Sequence, residues 1–175
     1  MSATGHSLTP LAAVLAGTAA GVAGTAAMDA VLYGRYRRSG GTDPFLAWEF
    51  PPVPGWQQAT EPGQVAKRVI EGFTQRKIPD RWARRANIAA HWAFGAGAAA
   101  AYGVLEGSRR RPRPLDGLPF GAAVWALGYV LLPQAGLYKP IWEYDVEVLA
   151  NDLSDHLAYG AVTGIAFWLL AGRRR

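Results

Sequence analysis

The sequence contains no cysteine, which excludes disulfides, thiol catalysis and cysteine-ligated metals. It also lacks a P-loop, a glycine-rich dinucleotide fingerprint and an HExxH sequence. No nucleophile beside a base can be recognised, so we predict a protein that is not an enzyme and that holds no metal or cofactor. Charge is absent over long stretches, and the basic clusters flank these stretches. We therefore assign the net charge of +5 to contacts with anionic lipid and not to nucleic acid.

Small and aromatic residues are abundant where charge is absent. The chain has 21 glycines and 7 tryptophans, and several tryptophans lie at the ends of apolar runs. Small residues let membrane helices pack closely, and tryptophan is enriched where a helix leaves the bilayer. The composition therefore favours a membrane protein.

Four apolar runs define the predicted architecture, and about 20 apolar residues are enough to cross a bilayer. They cover residues 8–34, 86–107, 117–138 and 156–172. Most of each run lacks charge around its whole circumference, whereas a soluble helix keeps a polar face. We predict an all-α protein with four transmembrane helices in a single membrane domain over residues 1–175. A soluble bundle of buried helices is the alternative.

The segment 35–85 is the long connection between the first two runs. Its first part, "GGTDPFLAWEFPPVPGW", is broken by glycine and proline and is predicted to be a loop. Residues 61–78 then predict an amphipathic helix, because Val65, Val69 and Phe73 share one face. Such a helix either lies flat in the lipid headgroups or packs against the protein's own helix ends.

Two short motifs occur twice in the same order. "WEF" (48–50) precedes "HWAFGA" (91–96), and "WEY" (142–144) precedes "HLAYGA" (156–161). We interpret them as a duplicated helical hairpin, with repeat one at 8–107, interrupted by the insertion 35–85, and repeat two at 117–172. Two spans per repeat place both copies in the same orientation, related by an axis along the membrane normal. The termini then share one side, and the basic segments 109–113 and 173–175 favour the cytoplasm.

The repeated histidines, His91 and His156, are the main functional candidates, because ionisable groups within a span are costly. Asn87 lies one helical turn before His91, and Asp152 one turn before His156. Glycines continue each line, so a neighbouring helix can approach the histidine closely. The histidines could titrate with pH, line a path for a small solute, bind haem as a pair, or form hydrogen bonds that hold the helices together.

Other polar residues are predicted to lie at the membrane boundary. Asp29, near the end of the first run, is predicted to reach water or Arg35, with a pairing to His91 as the functional alternative. Ser154 is predicted to be the N-cap of the last helix. The remaining candidates are the residues of the Trp-Glu-aromatic motifs, which suit either interfacial anchors or a pair of equivalent carboxylates: Trp48, Glu49, Trp142, Glu143 and Tyr144.

Four stretches of the sequence resemble known families of membrane proteins. The end of the first run at Met28 and Asp29, "HWAFGAG", "YKPIWEYD" and "DLSDHLAYGAVTG" are similar to uncharacterised small integral membrane proteins of actinobacteria. More distantly, the first and last runs resemble the bacterial inner-membrane family typified by YagU. This resemblance implies a helical inner-membrane protein linked to survival in acid. It implies no catalytic residues.

The function expected from these patterns is that of a non-enzymatic, multi-pass protein of the bacterial inner membrane, related to stress or acid response. Protonation of the histidines is expected to loosen or re-register the hairpins. The expected partners are the lipid bilayer and further copies of the chain. The alternatives are a small-solute transporter or channel that acts as a homo-oligomer, and a bis-histidine haem protein.

Overall fold

The computed structural model describes residues 8–109 and 113–172, and every regular element among them is helical. Six α-helices follow one another in the order α1 Pro10–Arg38, α2 Phe45–Glu49, α3 Glu61–Thr74, α4 Ala83–Gly107, α5 Gly117–Gln134 and α6 Val146–Gly172. Four 3₁₀ turns lie between them, at Trp56–Gln58, Asp80–Trp82, Pro114–Asp116 and Ile141–Glu143. The all-α prediction is confirmed.

Among the described residues, three stretches are long and apolar enough to cross a membrane: Pro10–Arg38, Asp80–Gly107 and Pro114–Gln134. These correspond to the first three predicted spans and agree with a membrane protein. Helix α6 is not among them, although its 27 residues give it a length of about 40 Å. Its first part carries Asp152, Asp155 and His156, which lower its apolar character.

Several of the predicted helix ends were wrong. The smallest error is part of a helical turn, and the largest is almost three turns. Helix α1 continues to Arg38, where three arginines in the last turn suit the negative end of the helix dipole. Helix α5 ends at Gln134, because Pro133 occupies its last turn and Gly136 takes a left-handed backbone with φ of 63°. The basic residues 110–112 and 173–175, on which the predicted orientation partly depends, lie outside the described residues.

The chain divides into two compact units. The bundle unit comprises Met1–Leu32 and Gly95–Arg175, and the insertion unit comprises Tyr33–Phe94. In the bundle unit, Ala20, Tyr102, Phe167 and Ala171 form the buried core. The Tyr102 ring lies 4.7 Å from the Phe120 ring and 5.7 Å from the Phe167 ring, measured between centroids.

Side-chain hydrogen bonds hold the segments of the insertion unit together. The backbone N–H and the hydroxyl of Thr60 both donate to Oδ1 of Asn87, each at 2.8 Å. The Trp56 indole donates to the carbonyl of Ile78 at 2.8 Å, which fixes the chain after α3. These bonds fasten α3 to the start of α4.

Candidate functional site

Helices α5 and α6 of the bundle unit pack closely against each other at glycines. A Cβ atom on Gly160 would lie 2.8 Å from Cα of Gly121, and one on Gly164 would lie 2.9 Å from Cα of Gly117. A Cβ atom on Gly121 would clash with the carbonyl oxygen of His156. The predicted role of the glycines after His156, close approach of a neighbouring helix, is therefore observed. It places the backbone of His156 against α5.

The His156 side chain lies beside Asp152, one turn earlier on α6. Its Nδ1 is 2.9 Å from the Asp152 carbonyl oxygen and 3.4 Å from the carboxylate Oδ1. A second carboxylate, Asp155, contributes to the field at the imidazole and is itself 4 % exposed. The described contacts of the imidazole are thus with its own helix.

The link across to α5 passes through Asp152. Its carboxylate lies near the Tyr129 hydroxyl of α5, whereas the buried indole nitrogen of Trp125 has no hydrogen-bond partner among the described residues. Tyr129 is buried and packs against Tyr138 and Tyr144, with ring centroids 5.2 and 5.3 Å away. We call Asp152, His156 and these aromatic neighbours the Asp152 cluster. It combines a carboxylate, an imidazole and a phenol, groups that bind and release protons.

A second histidine–carboxylate pair lies in the insertion unit. A carboxylate oxygen of Glu49 and a ring nitrogen of His91 lie within 4.8 Å of each other. The neighbouring Trp92 donates its indole N–H to Oε1 of Glu49 at 3.1 Å. Glu49 ends α2 and His91 lies in α4, so the fold brings together residues 42 positions apart. We call this group the Glu49 pair.

The two Trp-Glu-aromatic motifs have different surroundings. Trp48 packs with Tyr33, Tyr36 and Phe45, at centroid distances of 5.3 to 6.1 Å. Trp142 is 81 % exposed and Glu143 is exposed, while Glu49 is half-buried. Tyr144 accepts a hydrogen bond from the backbone of Lys139 at 3.2 Å. Glu49 is therefore half-buried beside a histidine, whereas Glu143 is exposed.

Asp29 is 2 % exposed, so the part of its prediction that places it in water is wrong, while its pairing with Arg35 or His91 stays a prediction. Ser154 is not an N-cap, because α6 begins at Val146, and its hydroxyl donates to the Asn151 carbonyl at 2.8 Å. Asn87 does lie one turn from His91, but its side chain carbonyl holds Thr60.

Sequence reasoning missed several buried polar residues of the bundle unit. Glu106 is 4 % exposed and accepts from the Arg113 backbone at 3.2 Å and from Arg109 at 3.4 Å. Arg109 also reaches Asp116 at 2.7 Å, which closes the connection from α4 to α5. Thr163 is fully buried. In the sequence, the burial of Asp155 is indicated only by its position beside His156. The burial of Glu106 is indicated only by its place at the end of an apolar run.

Comparison of the chain with protein-family models, with curated proteins and with solved structures gave no match.

Proposed function

We propose that the chain is a non-enzymatic, multi-pass protein of the bacterial inner membrane that responds to protons through its two histidine–carboxylate pairs. One observation carries this proposal: each histidine of the repeated motif lies beside a carboxylate. His156 is 3.4 Å from Asp152, and His91 is within 4.8 Å of Glu49. Imidazole is the side chain whose unperturbed pKa, about 6.5, lies closest to neutral pH.

The proposed architecture has four spans in two tandem hairpins, with α6 as the fourth span. After His156, the run 157–172 of α6 contains no charged residue, and its Gly160 and Gly164 lie against α5. Close packing at small residues is how membrane helices associate. The polar first part of α6 would then lie at the membrane boundary, where the Asp152 cluster meets water.

Glycine contacts in the bundle unit support the proposed duplication. A Cβ atom on Gly21 of α1 would lie 2.6 Å from the Gly95 carbonyl oxygen of α4. Gly121 of α5 has the same relation to the backbone of α6, at His156 and Gly160. When the two histidine motifs are aligned, the contact made by Gly121 lies about one helical turn earlier in α6 than the contact made by Gly21 lies in α4. We propose that the hairpins arose by duplication and later shifted by this turn.

The direction of the proton response follows from the charges around His156. An imidazolium at this position is attracted by Asp152 on its own helix and by Asp155, and Tyr129 of α5 faces the same carboxylate. Protonation would strengthen the His156–Asp152 contact. We therefore propose that mild acid tightens this region, the opposite of the loosening expected from the sequence. Survival in acid, which the resemblance to the YagU-like family implies, is the physiological setting that we propose.

The test is the thermal unfolding temperature of the purified full chain in mild detergent, measured from pH 8 to pH 5.5. We expect the unfolding temperature of the wild type to rise, and this rise to disappear in Asp152→Asn and in His156→Gln. Ser154→Ala is the matched control on the same helix, because the Ser154 side chain is exposed. An equal rise in both variants and the control would show that the pair does not sense protons.

A small-solute transporter or channel subunit, acting as a homo-oligomer, is a second candidate. Buried polar side chains within the long helices favour it, because such groups mark solute paths in membrane bundles. Asp29 is 2 % exposed, Asp155 4 % and Thr163 0 %. Solute flux into proteoliposomes that is lost in Asp29→Asn, while the protein still inserts, would support this function over the first.

A further inference from the structure

An open cavity of about 430 Å³ lies at the start of α4 in the insertion unit. It is lined by Arg81, Trp82, Arg84, Arg85 and Ile88. The Arg85 guanidinium lies 5.3 Å from the centre of the Trp82 ring, and Arg84 donates to the Phe50 carbonyl at 2.9 Å. Three arginines thus line one cavity, and these contacts hold the guanidinium groups of Arg84 and Arg85 in place.

The positions of these arginines oppose the dipole of α4. Arg84 and Arg85 lie in its first turn, which contains no acidic residue, and the first turn of a helix carries partial positive charge. Asp80, the nearest acid in sequence, accepts a hydrogen bond from the Trp56 backbone at 3.3 Å. The ion pairs found within residues 8–109 and 113–172 do not involve the three arginines of the cavity. An anion in the cavity would compensate this unfavourable concentration of charge.

The surroundings of the cavity indicate which anion fits. Asp80–Gly107 is a candidate span, so if α4 crosses the bilayer its first turn lies at the level of the lipid phosphates. Trp82 is 44 % exposed, as expected of a tryptophan at the membrane boundary. Helix α3 of the same unit also exposes apolar side chains, with Phe73 88 % and Val69 51 % exposed.

We infer that Arg81, Arg84 and Arg85 bind the phosphate of an anionic phospholipid, while Trp82 and Ile88 contact its apolar part. Guanidinium groups donate two parallel hydrogen bonds to phosphate oxygens, which suits them to this ligand better than lysine. This inference rests on the proposed membrane location. It does not depend on the proton response.

Thermal unfolding of the full chain in zwitterionic detergent micelles tests the site, with phosphatidylglycerol added in increasing mole fraction at low salt. Phosphatidylcholine and inorganic phosphate are added in parallel series. The test variant is Arg81→Gln/Arg85→Gln, which leaves the Arg84–Phe50 contact intact. The control is Arg37→Gln/Arg38→Gln, which removes the same charge from the end of α1. Arg81→Lys/Arg85→Lys keeps the charge and shows whether the positions tolerate substitution.

We expect phosphatidylglycerol to stabilise the wild type at a lower mole fraction than phosphatidylcholine does. Each basic residue near a lipid surface contributes about fivefold to binding, so the half-saturating fraction should rise about 25-fold in the test variant. It should change less than about twofold in the control. The lysine variant should lie between the wild type and the test variant, because lysine keeps the charge but cannot donate two parallel hydrogen bonds to the phosphate.

Three results would overturn the inference. Equal weakening in test and control variants would indicate diffuse attraction without a site. Equal stabilisation by phosphatidylcholine would exclude recognition of the anionic headgroup, and equal stabilisation by inorganic phosphate would assign the cavity to a free anion. Failure of the membrane location would be seen separately, as a chain that does not sediment with membranes.

Discussion

Close packing of α5 against α6 leads to a prediction with a built-in control. Replacing Gly160 by alanine adds a Cβ atom 2.8 Å from Cα of Gly121, whereas carbon atoms prefer to be 3.5–4.0 Å apart. The two helices must therefore separate by about 1 Å. Gly128, on α5, has no atom within 4 Å of an added Cβ, so Gly128→Ala changes helix propensity without a clash.

Two effects determine how far the stabilities of the two variants differ. Alanine stabilises a helix interior by about 0.5–1 kcal/mol relative to glycine, and both variants receive this gain. Overpacking costs about 1–3 kcal/mol and applies to Gly160→Ala alone. The two variants should differ by this cost, with Gly128→Ala at or above the wild type. For a chain of this size the difference corresponds to about 2–12 °C in unfolding temperature.

The assay is thermal unfolding of the two variants and the wild type in the same detergent, monitored by tryptophan fluorescence. Gly160→Ala should unfold first and Gly128→Ala last. If Gly160→Ala were as stable as Gly128→Ala, the backbones of α5 and α6 could not be in contact at this glycine, and the position proposed for His156 against α5 would be wrong.

Two further predictions concern the hydrogen bonds of one side chain each. Tyr159→Phe removes the buried bond from the hydroxyl to the Gly95 carbonyl, 2.6 Å long, and should lower the free energy of unfolding by about 0.5–1.5 kcal/mol in denaturant titrations, whereas an unchanged value would show that the bond does not form. The pKa of Glu71 lies below its ordinary value of 4.5, because the Lys67 ammonium and the Ile78 N–H donate to its carboxylate. This contribution to stability is present above about pH 4.5, the ordinary pKa of glutamate, and is lost as the pH falls through the lower folded pKa. Glu71→Gln should remove this part of the pH dependence between pH 3 and 5, and a Glu71 pKa at or above 4.5 by NMR would contradict it.

The helices could be predicted from the sequence because their cause is local. Long uncharged runs rich in alanine and glycine define α1, α4 and α5, and the glycine spacing indicated which faces approach a neighbour. The start of α6 could not be predicted in this way. An apolar run defines a helix only where charge is absent, and α6 extends through Asp152 and Asp155. For the same reason Ser154 was placed at a helix start.

The partners of the histidines could be predicted only in part. Asp152 is one turn from His156, so helical spacing alone brings the two together. Glu49 and His91 are 42 residues apart and are joined by the path of the 39–82 connection, which no local pattern determines. Equivalence of the repeats pointed to Glu143 as the second carboxylate, but the exposed 3₁₀ turn at Ile141–Glu143 does not place it beside a histidine.

In the proposed architecture α6 crosses the membrane, so that four spans place residues 1 and 175 on the same side. The native chain has no cysteine, so single cysteines can be labelled without background. We would introduce Ser108→Cys, Gly136→Cys or a cysteine after Arg175, and treat intact cells with a membrane-impermeant maleimide. Four spans with cytoplasmic termini predict labelling at 136 and protection at 108 and at the C-terminus. Labelling of the C-terminal cysteine together with 136 would show that α6 does not span, and the four-span architecture would be wrong.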